Sequence, residues 1–596
     1  MSNGNFPRAA DPIFREMGLK KDGIFPRDMP ERPFLLTGGS LPFYNKKMQT
    51  SLPERRKEGF GMTGAKAIVT ALEREGVTTV FGYPGAAICP VYDCLADSPI
   101  CHILVRQEQN AGHAAAAYGR ISGRPGVCIA TSGPGALNLL TALATAYMDS
   151  IPLVAITGQV SSDQLGKDVF QEADITGAAE PFTKYSFLVK SAQELPRVMK
   201  EAFYLASTGR QGPVLIDVPV DVQNQQVEFS YPESVMIRGY NPSTRPNLLQ
   251  LRRVVEAIAA ARRPVICAGG GVFSAGAREQ MRQFAQRCRI PVVTTMMGIG
   301  LMPSDHPLYL GMLGSFGCSA ANYAIRHSDL LILIGTRAGD RAMCQPGVVE
   351  KRTRVIHIDI DPAEIRKNME ANIPLVADAR LVLEALVDEC GPADTGMWLA
   401  ELQQKQGDGA GYADREGFVN PHRVIAAITS RLEEDAIYVA DVGLNQIWSA
   451  RSARMQNGRF LTSGGMGTMG YALPAAMGAR LASDAGQVVA VMGDGGFQMS
   501  MQELSTLCQH DIPIKMVVFC NDCLGMVRQI QREHYGERYE AVDLSGGPDF
   551  AALAQVYGIP AMTVSQNSEI DRAAEALLSA RGSFLLQCRV SPDEPA

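Results

Sequence analysis

Short apolar runs alternate with longer amphipathic segments from Met62 onward, and this alternation predicts parallel sheets joined by crossover helices. Apolar runs of about four to eight residues are typical of buried strands, whereas apolar residues at every third or fourth position are typical of helices. The predicted strands form three series, at residues 78–82, 103–106, 126–131, 153–157 and 214–218, then 265–268, 291–295, 331–334 and 355–360, and finally 437–442, 488–492, 515–520 and 584–588.

Polar stretches separate the three series and predict the domain boundaries. Residues 231–247 are polar and contain prolines, and residues 403–417 are rich in Gly and Gln. We therefore predict an α/β fold with three doubly wound parallel-sheet domains, each of ordinary size and each with its own core. Their predicted limits are 61–230, 246–400 and 418–590.

The first 60 residues differ from the rest, because they are rich in proline and show no sustained periodicity. Their scattered acidic residues argue against a mitochondrial transit peptide, since such peptides are poor in acids. We predict a flexible N-terminal extension at residues 1–60. The alternative is that translation starts at Met62, where the first amphipathic helix begins.

Composition narrows the class of protein. With 46% hydrophobic and 20% charged residues, the chain resembles an ordinary soluble globular protein. A net charge of −6 without a basic stripe argues against a nucleic-acid partner. No apolar run reaches the roughly 20 residues that span a bilayer, which argues against a membrane protein. The 13 cysteines have no repeated spacing, which favours reduced thiols and a cytoplasmic location.

The most informative motif is Gly-Asp-Gly-Gly at residues 493–496, which follows an apolar strand. Asn521 ends the next predicted strand, 521 − 494 = 27 residues after Asp494. Carboxylate and amide oxygens suit Mg²⁺, which binds few protein ligands and relies on phosphate oxygens. Glycines let a diphosphate approach the backbone, and a helix N-terminus favours its charge. The motif predicts a diphosphate-cofactor site; the alternative is that Asp494 merely caps a helix.

A single carboxylate, Glu108, stands where an apolar strand enters an Ala-rich helix. Alone, it would be interpreted as an acid that the helix dipole stabilises. The Gly-Asp-Gly-Gly motif followed by Asn521 resembles the signature of thiamine-diphosphate enzymes, and this resemblance changes the interpretation of Glu108. It implies a carboxylate at N1′ of the aminopyrimidine of the cofactor. Glu108 is therefore predicted to provide acid–base catalysis relayed through the cofactor.

From Met62 to about Val590 the chain resembles the catalytic subunits of the acetohydroxyacid (acetolactate) synthase family, which use thiamine diphosphate, Mg²⁺ and FAD. The resemblance implies a pyrimidine-binding, a central FAD-binding and a diphosphate-binding domain. It also implies a homodimer or tetramer, in which Glu108 of one subunit completes the cofactor site of another, and a small regulatory subunit as a further partner. The stretches that carry it are 83–87, 108–109, 130–136, 156–160, 170–172, 357–361 and 525–529.

The same resemblance assigns roles to individual residues. Asp494, Asn521 and the carbonyl of Cys523 would bind Mg²⁺, and Met469 would hold the cofactor bent, which is compatible with ordinary core packing. Glu108, Gln171, Met469 and Arg341 are the implied catalytic residues. Arg341 would grip the acceptor's carboxylate; the alternative is a surface salt bridge to Asp340 or Asp361. The implied thiamine diphosphate contacts are Pro84, Gly85, Gly443, Gly467, Met469, Gly495, Gly496 and Met526.

FAD contacts are implied in and beside the central domain. On its own, a glycine triplet after a strand would be interpreted as tight helix–sheet packing, so these contacts rest on the resemblance. They are Arg210, Gly269, Gly270, Gly271, Met312, Leu313, Gly335, Arg337, Asp340, Asp359, Ile360, Glu364 and Asp378.

The implied reaction decarboxylates pyruvate and ligates the hydroxyethyl unit to a second 2-oxo acid, in branched-chain amino-acid biosynthesis, with FAD structural or vestigial. The chain departs from the family at several positions. Ile530 stands where many members carry Trp, Leu444-Asn445 replaces Gln-His, Val220 replaces Lys, Gln107 replaces His and Ser161 replaces Pro. The first departure leaves open whether pyruvate or 2-oxobutyrate is preferred as acceptor. The alternatives are a pyruvate oxidase-like oxidoreductase, a lyase or hydrolase for 2-oxo acids or cyclic diones, and a non-catalytic flavin-binding module.

Overall fold

The computed structural model describes residues 61–405 and 412–596. The extension predicted at 1–60 and the middle of the boundary predicted at 403–417 lie outside these residues. The described chain contains three six-stranded parallel sheets flanked by helices, which confirms the predicted fold class. Within it, no helix is long and apolar enough to cross a lipid bilayer. All 13 cysteines lie in the described ranges, as free thiols.

The first domain is built on a sheet of order β3-β2-β4-β5-β7-β6, and a short antiparallel pair joins β1 to β8. The strands are β1 (Met62–Thr63), β2 (Thr79–Tyr83), β3 (Cys101–Leu104), β4 (Gly126–Ala130), β5 (Leu153–Gln159), β6 (Tyr185–Leu188), β7 (Pro213–Pro219) and β8 (Gln226–Val227). The helices are α1 (Gly64–Arg74), α2 (Cys89–Ala96), α3 (Glu108–Ser122), α4 (Pro134–Leu137), α5 (Leu140–Met148), α6 (Ile175–Ala179), α7 (Leu195–Ser207) and α8 (Val220–Asn224).

The central domain has the sheet order β11-β10-β9-β12-β13-β14. Its strands are β9 (Pro264–Ala268), β10 (Val292–Thr294), β11 (Tyr309–Met312), β12 (Leu330–Ile334), β13 (Arg354–Asp359) and β14 (Ile373–Val376). Its helices are α9 (Leu248–Ala260), α10 (Gly270–Ser274), α11 (Arg278–Cys288), α12 (Ser319–His327), α13 (Pro346–Glu350), α14 (Ala379–Glu389) and α15 (Gly396–Lys405).

The last domain has the sheet order β16-β15-β17-β18-β20-β19. Its strands are β15 (Ile437–Ala440), β16 (Arg459–Leu461), β17 (Val488–Gly493), β18 (Lys515–Cys520), β19 (Ala561–Val564) and β20 (Phe584–Arg589). Its helices are α16 (Pro421–Thr429), α17 (Leu444–Ser452), α18 (Ala472–Leu481), α19 (Asp494–Gln498), α20 (Leu504–His510), α21 (Gly525–His534), α22 (Phe550–Val556) and α23 (Ile570–Ser579).

The sequence patterns missed strands at the margins of all three sheets. Each of the 13 predicted strands is present, within a few residues of its predicted limits, but β6, β11, β14, β16 and β19 were not predicted, and neither was the two-residue pair β1–β8. All five missed strands are edge strands. An edge strand is short and buries fewer residues, so it lacks the continuous apolar run that marks a central parallel strand.

The strand order changes direction between β2 and β4 in the first sheet, between β9 and β12 in the central sheet, and between β15 and β17 in the last sheet. In open α/β sheets, ligands bind in the crevice at the carboxyl ends of the strands beside such a switch point. The predicted cofactor residues follow these strands: Gly85 comes after β2, Gly269 after β9 and Asp494 after β17. The topology therefore explains why they lie where ligands bind.

The first and last domains do not keep entirely separate cores, contrary to expectation. One buried cluster combines residues of the first sheet, such as Phe81, with residues of the last domain, such as Phe497 and Met516. At its centre α3 packs against α18, and a Cβ atom on Gly478 would stand only 1.8 Å from the carbonyl oxygen of Ala114. Small residues therefore let the two helices approach at backbone distance.

Candidate active site

Asp494 lies where β17 and β18 end side by side, as the first residue of α19. One carboxylate oxygen accepts hydrogen bonds from the backbone N–H groups of Asn521 (3.1 Å) and Asp522 (2.8 Å), and the other accepts one from Gly495 (2.9 Å). Only 4% of Asp494 is exposed, and burial raises its pKa to about 6. The return strand β18 thus brings Asn521 beside Asp494, after a 3₁₀ turn and helix α20.

The loop after β18 is held by a second chain segment. Backbone hydrogen bonds of 2.8 and 2.9 Å join residues 522–524 to residues 542–544, and the side-chain oxygen of Asn521 accepts the N–H of Cys523 (3.3 Å). A cavity of about 650 Å³ lies beside this loop, and Asp494, Asn521 and Cys523 are among the residues that line it. The three predicted metal ligands therefore border one cavity.

The donor atoms at this cavity fit a magnesium ion. A carboxylate, an amide oxygen and a peptide carbonyl are hard oxygen ligands, which Mg²⁺ prefers. In residues 61–405 and 412–596, no group of three or more His, Cys, Asp or Glu side chains is placed to hold a metal ion. That finding is compatible with a site whose protein ligands are one carboxylate, one amide and one carbonyl.

Met469 belongs to the segment at residues 464–472 and lies beside the Gly-Asp-Gly-Gly motif. A Cβ atom on Gly495 would stand 3.3 Å from the terminal methyl carbon of Met469, so these two residues are in contact. Gly467 has a φ of 71°, and a Cβ atom there would meet nothing within 4 Å. The backbone at Gly467 therefore faces open space. Gly496 packs against the carboxylate of Asp441, the residue that follows β15.

Asn445 stands at one of the departures from the family, and its side chain forms hydrogen bonds with the backbone. Its amide group donates to the carbonyls of Asp441 (2.8 Å) and Val491 (3.3 Å), and it is buried. Its oxygen would stand 2.9 Å from a Cβ atom on Gly443, whose φ is 140°. Asn445 thus braces the turn at Gly443, which begins α17.

Glu108 lies at the carboxyl edge of the first sheet, as the first residue of α3. One of its carboxylate oxygens accepts a hydrogen bond from the side-chain amide of Asn138 (3.0 Å), and the other would stand 3.1 Å from a Cβ atom on Gly135. Glu108 is not among the residues that line the cavity beside Asp494 of the same chain.

The start of α3 is fixed by the last domain. The backbone N–H of Arg106 and the side-chain amide of Asn110 both donate to one oxygen of Glu503, at 2.9 and 2.8 Å. Thr506 donates to the other oxygen at 2.5 Å. Glu503, which was not predicted, therefore ties the turn that presents Glu108 to the segment that follows the Gly-Asp-Gly-Gly motif.

The predicted residues Gln171 and Gly85 lie where the backbone of the first domain is closely packed. Gln171 has a left-handed φ of 59°, and a Cβ atom on Gly133 would stand 2.8 Å from its carbonyl oxygen. After Pro84, a Cβ atom on Gly85 would stand 2.5 Å from the Thr131 side chain. Because β2 and β4 are neighbours, Pro84-Gly85 and the loop at residues 131–135 meet at the switch point.

The glycines of the central domain also meet at a switch point. Gly269, Gly270 and Gly271 follow β9, and Gly335 follows β12. The N–H of Gly271 donates to the carbonyl of Gly335 (3.0 Å), and a Cβ atom on Gly271 would stand 2.7 Å from the Cα of Gly335. Side chains here would clash, and their absence leaves backbone at the crevice, which suits a dinucleotide.

Arg210 reaches from the first domain to two carboxylates of the central domain. Its guanidinium donates to Glu364 (2.6 Å), to Asp361 (3.2 Å) and to the hydroxyl of Ser150 (2.9 Å). Glu364 is 2% exposed, and its second oxygen is buried without a protein partner. A buried acceptor of this kind is free to bind a hydroxyl group of a ligand.

Four other predicted flavin contacts also lie in the central domain and take part in its secondary structure or its hydrogen bonds: Asp359, Asp378, Met312 and Leu313. Asp359 ends β13, and burial raises its pKa to about 6. Asp378 caps α14 by accepting the N–H groups of residues 380 and 381. Strand β11 ends at Met312, and the N–H of the next residue, Leu313, donates to the carbonyl of Thr294 (3.0 Å). Ile360 directly follows β13.

Arg341 and Asp340 are the most exposed of the predicted site residues. Their charged groups are 3.7 Å apart, and their side chains are 84% and 91% exposed. Asp361, the other partner that we considered for Arg341, is paired with Arg210 instead. Arg337 lies just upstream and accepts a hydrogen bond from Asn368 through its carbonyl (2.8 Å).

Met526 and Ile530 lie on α21, which buries none of its residues in the single chain. Met526 packs at the margin of a core cluster that the last domain shares with Ile299 and Met312 of the central domain, and Ile530 is 45% exposed. A Cβ atom on Gly525 would stand 2.6 Å from both the Asn521 amide nitrogen and Leu444. This close approach places the start of α21 directly against Asn521, one of the predicted metal ligands.

Comparison with protein families accounts for this arrangement of domains. The N-terminal TPP binding domain of thiamine pyrophosphate enzymes matches residues 62–178, their central domain matches residues 251–386, and their C-terminal TPP binding domain matches residues 441–588. The chain is thus a thiamine pyrophosphate enzyme.

Individual relatives are more specific. The chain is 44% identical to a probable acetolactate synthase large subunit of Methanocaldococcus jannaschii over 550 residues, covering 89% of this chain and 93% of that protein. It is 46% identical to an acetolactate synthase of Mycobacterium bovis, covering 85% of each chain, and 44% identical to an acetolactate synthase large subunit of Corynebacterium glutamicum, covering 88% and 84%. The chain belongs to the acetolactate synthase family.

Proposed function

We propose that this chain is the catalytic subunit of an acetolactate synthase, which decarboxylates pyruvate and joins the resulting two-carbon unit to a second 2-oxo acid. The observation that carries the proposal is the convergence of Asp494, Asn521 and Cys523 on one cavity, in a chain at least 44% identical to relatives that are named for this reaction. Acetolactate formation is the first common step toward branched-chain amino acids, and we assign the chain to that pathway.

Asp494, Asn521 and the carbonyl of Cys523 would hold Mg²⁺ against the diphosphate of the cofactor. Gly495 and Gly496 give the diphosphate access to the backbone at the start of α19. Thiamine diphosphate supplies a carbon nucleophile that adds to a 2-oxo acid and takes up the electron pair released with carbon dioxide. Met469 would keep the two rings of the cofactor facing each other, because its side chain projects toward Gly495.

Glu108 would hold a proton at the aminopyrimidine of the cofactor. Since it does not line the cavity of its own chain, we propose that it serves the site of a second subunit, so that the active unit is a homodimer or a tetramer. Asn138 orients the carboxylate from one side and the loop at residues 132–135 from the other. Gln171 would contact the substrate from the same edge of the first sheet.

FAD would lie at the switch point of the central sheet. Gly269, Gly271 and Gly335 leave backbone exposed to the dinucleotide, and the unpartnered oxygen of Glu364 can accept a hydroxyl group. Arg337, Asp340, Asp359 and the other predicted flavin contacts would line the rest of the site. Because the proposed ligation changes no oxidation state overall, we assign FAD a structural role.

Arg341 and Ile530 would face the acceptor. The exposed guanidinium of Arg341 is available to a substrate carboxylate, since its ion-pair partner among the described residues, Asp340, is itself exposed and 3.7 Å away. Ile530 is smaller than the Trp of many relatives, so we expect weaker discrimination in favour of the longer acceptor 2-oxobutyrate. Two of the relatives above are named as large subunits, and we propose a small regulatory subunit as a partner.

The decisive experiment supplies purified protein with pyruvate, Mg²⁺, thiamine diphosphate and FAD under anaerobic conditions. We expect two pyruvate molecules to yield one acetolactate and one carbon dioxide while the flavin stays oxidised. A parallel reaction with added 2-oxobutyrate measures acceptor preference. Bleaching of the flavin at the rate of pyruvate consumption would indicate an oxidase instead, and carbon dioxide release without acetolactate would indicate a simple decarboxylase.

A further inference from the structure

We propose that two carboxylates outside the predicted site, Asp149 and Asp441, position the segment at residues 464–472 so that Gly467 and Met469 face the thiamine ring. The inference rests on the proposed function, and it assigns both residues a positioning role. Each carboxylate accepts two backbone N–H groups of this segment, Asp149 near its beginning and Asp441 near its end.

Asp149 lies in the first domain, directly after α5, and reaches across to the last domain. Its two oxygens accept the N–H groups of Gly464 (3.1 Å) and Gly465 (2.7 Å). A Cβ atom on Gly465 would stand 2.8 Å from the Cβ of Met148, so the segment approaches the end of α5 at backbone distance. The first domain therefore fixes where this segment begins.

Asp441 lies in the last domain, directly after β15, and is fully buried. One oxygen accepts the N–H of Gly470 (3.0 Å) and of its own neighbour Val442 (2.8 Å), and the other accepts the N–H of Ala472 (2.9 Å). The first oxygen would also stand 2.8 Å from a Cβ atom on Gly496. Asp441 therefore links the residue after Met469 to the Gly-Asp-Gly-Gly motif.

Additional hydrogen bonds hold the segment between the two carboxylates. The hydroxyls of Thr145 and Thr468 are 2.7 Å apart across the domain boundary, and the N–H of Thr468 donates to the Ser463 hydroxyl (3.0 Å). Gly467 has nothing within 4 Å of a Cβ position. The segment is therefore fixed before and after Gly467, while Gly467 itself is left open to a ligand.

Carboxylates suit this task because each offers two oxygens to N–H donors, and hydrogen bonds to a charged acceptor are stronger than neutral ones. An Asn side chain keeps one acceptor oxygen and turns an NH₂ group toward the second N–H. Asp149→Asn and Asp441→Asn therefore loosen the segment while changing little volume.

The test measures thiamine diphosphate binding and cofactor activation in these two variants, with Mg²⁺ and FAD present. We expect each substitution to raise the dissociation constant of thiamine diphosphate about tenfold, as the loss of one charge-assisted hydrogen bond would. We also expect a slower exchange of the thiazolium C2 proton of the bound cofactor in D₂O, by a similar factor, at saturating cofactor. Thermal unfolding of the protein without thiamine diphosphate shows whether each variant is folded.

The matched control is Asp329→Asn in the central domain. Asp329 also accepts two consecutive backbone N–H groups, those of Arg262 (2.8 Å) and Arg263 (2.9 Å), but it precedes β12 at the opposite edge of the sheet from the cofactor crevice. We expect this variant to bind and activate thiamine diphosphate as the unchanged protein does.

Wild-type dissociation constants and C2 exchange rates in folded Asp149→Asn and Asp441→Asn proteins would overturn the proposal. Equal losses in Asp329→Asn would also overturn it, since they would indicate a general effect on stability. If either Asn variant does not fold, Thr468→Val removes the bridge to Thr145 alone, and an unchanged exchange rate in that variant would count against the proposal. If the unchanged protein binds and activates thiamine diphosphate but forms no acetolactate, the proposed function fails while this inference stands.

Discussion

Two buried carboxylates of this molecule have the same kind of backbone partners, and their surroundings distinguish their roles. Asp494 and Asp441 are both buried, and burial raises the pKa of each to about 6. Each accepts three backbone N–H groups, but Asp494 also borders a cavity beside Asn521, whereas Asp441 packs against Gly496. Glu108 is only partly buried and accepts a hydrogen bond from a side-chain amide. The adjoining cavity, more than burial or hydrogen bonding, distinguishes the proposed metal ligand Asp494 from the positioning residue Asp441.

Replacing Glu108 by Gln tests its catalytic role. The amide oxygen of Gln can still accept the hydrogen bond from Asn138, so the local structure should survive. We expect turnover to fall at least 100-fold, the ordinary size of an acid–base contribution, while thiamine diphosphate still binds. Acetolactate formation and cofactor binding are the measurements, and Glu384→Gln on the exposed face of α14 is the isosteric control. Undiminished acetolactate formation would refute the role of Glu108.

Sequence patterns identified the motif residues of the site and missed the residues that brace them. Asp494 and Asn521 are 27 positions apart and lie at the ends of adjacent strands, so their proximity follows from strand order alone. Asp149 binds residues 315 and 316 positions away in another domain. No periodicity predicts such a contact, because it depends on how two domains pack.

At the scale of elements, the inner strands of the three described sheets were predicted, whereas five of the six edge strands were missed, β3 being the exception. Helices cover both faces of an inner strand, which favours apolar side chains on both sides. The edge strand β16 has only three residues, and it begins with Arg459. Helix α18 is rich in small apolar residues, and the structure shows that it packs against α3 of another domain.

Replacing Gly478 by Ala tests the close contact between α3 and α18. A methyl group there would stand 1.8 Å from the carbonyl oxygen of Ala114, so the helices must separate. We expect destabilisation of at least about 2 kcal/mol, as for overpacked cores, despite the higher helix propensity of Ala. Urea unfolding measures the effect.

Gly347→Ala in α13 is the control for that substitution, because a Cβ atom there would meet nothing within 4 Å. We expect this change to be neutral or stabilising by up to about 1 kcal/mol. Equal unfolding midpoints for the two variants would contradict the proposed packing constraint.

At the scale of the whole molecule, Arg210 connects the first domain to the central domain. It binds Glu364 and Asp361 of the central domain and Ser150 of its own domain. Ser150 adjoins Asp149, whose carboxylate holds the segment that carries Met469. Residues 149–150 therefore contact both Arg210, on the proposed flavin side, and the segment that we propose faces thiamine diphosphate.

Replacing Arg210 by Lys tests this connection. Lysine keeps the charge but lacks the planar fork, so it cannot reach all three partners. We expect the dissociation constant of FAD to rise about tenfold, measured by flavin fluorescence on titration of the apoprotein. Arg263→Lys is the control, because Arg263 pairs with Glu401 on the surface of the central domain. An unchanged FAD affinity in Arg210→Lys would exclude this arginine as a determinant of flavin binding.

The core that the first and last domains share restricts how substrates and cofactors enter and leave the enzyme. Parting these two domains would expose the apolar surfaces of Phe81, Phe497 and Met516 to water and unlock α3 from α18, at a cost close to that of unfolding. We therefore expect substrates and cofactors to enter and leave while this pair of domains stays closed, through displacement of surface elements such as helix α21, which buries none of its residues in the single chain.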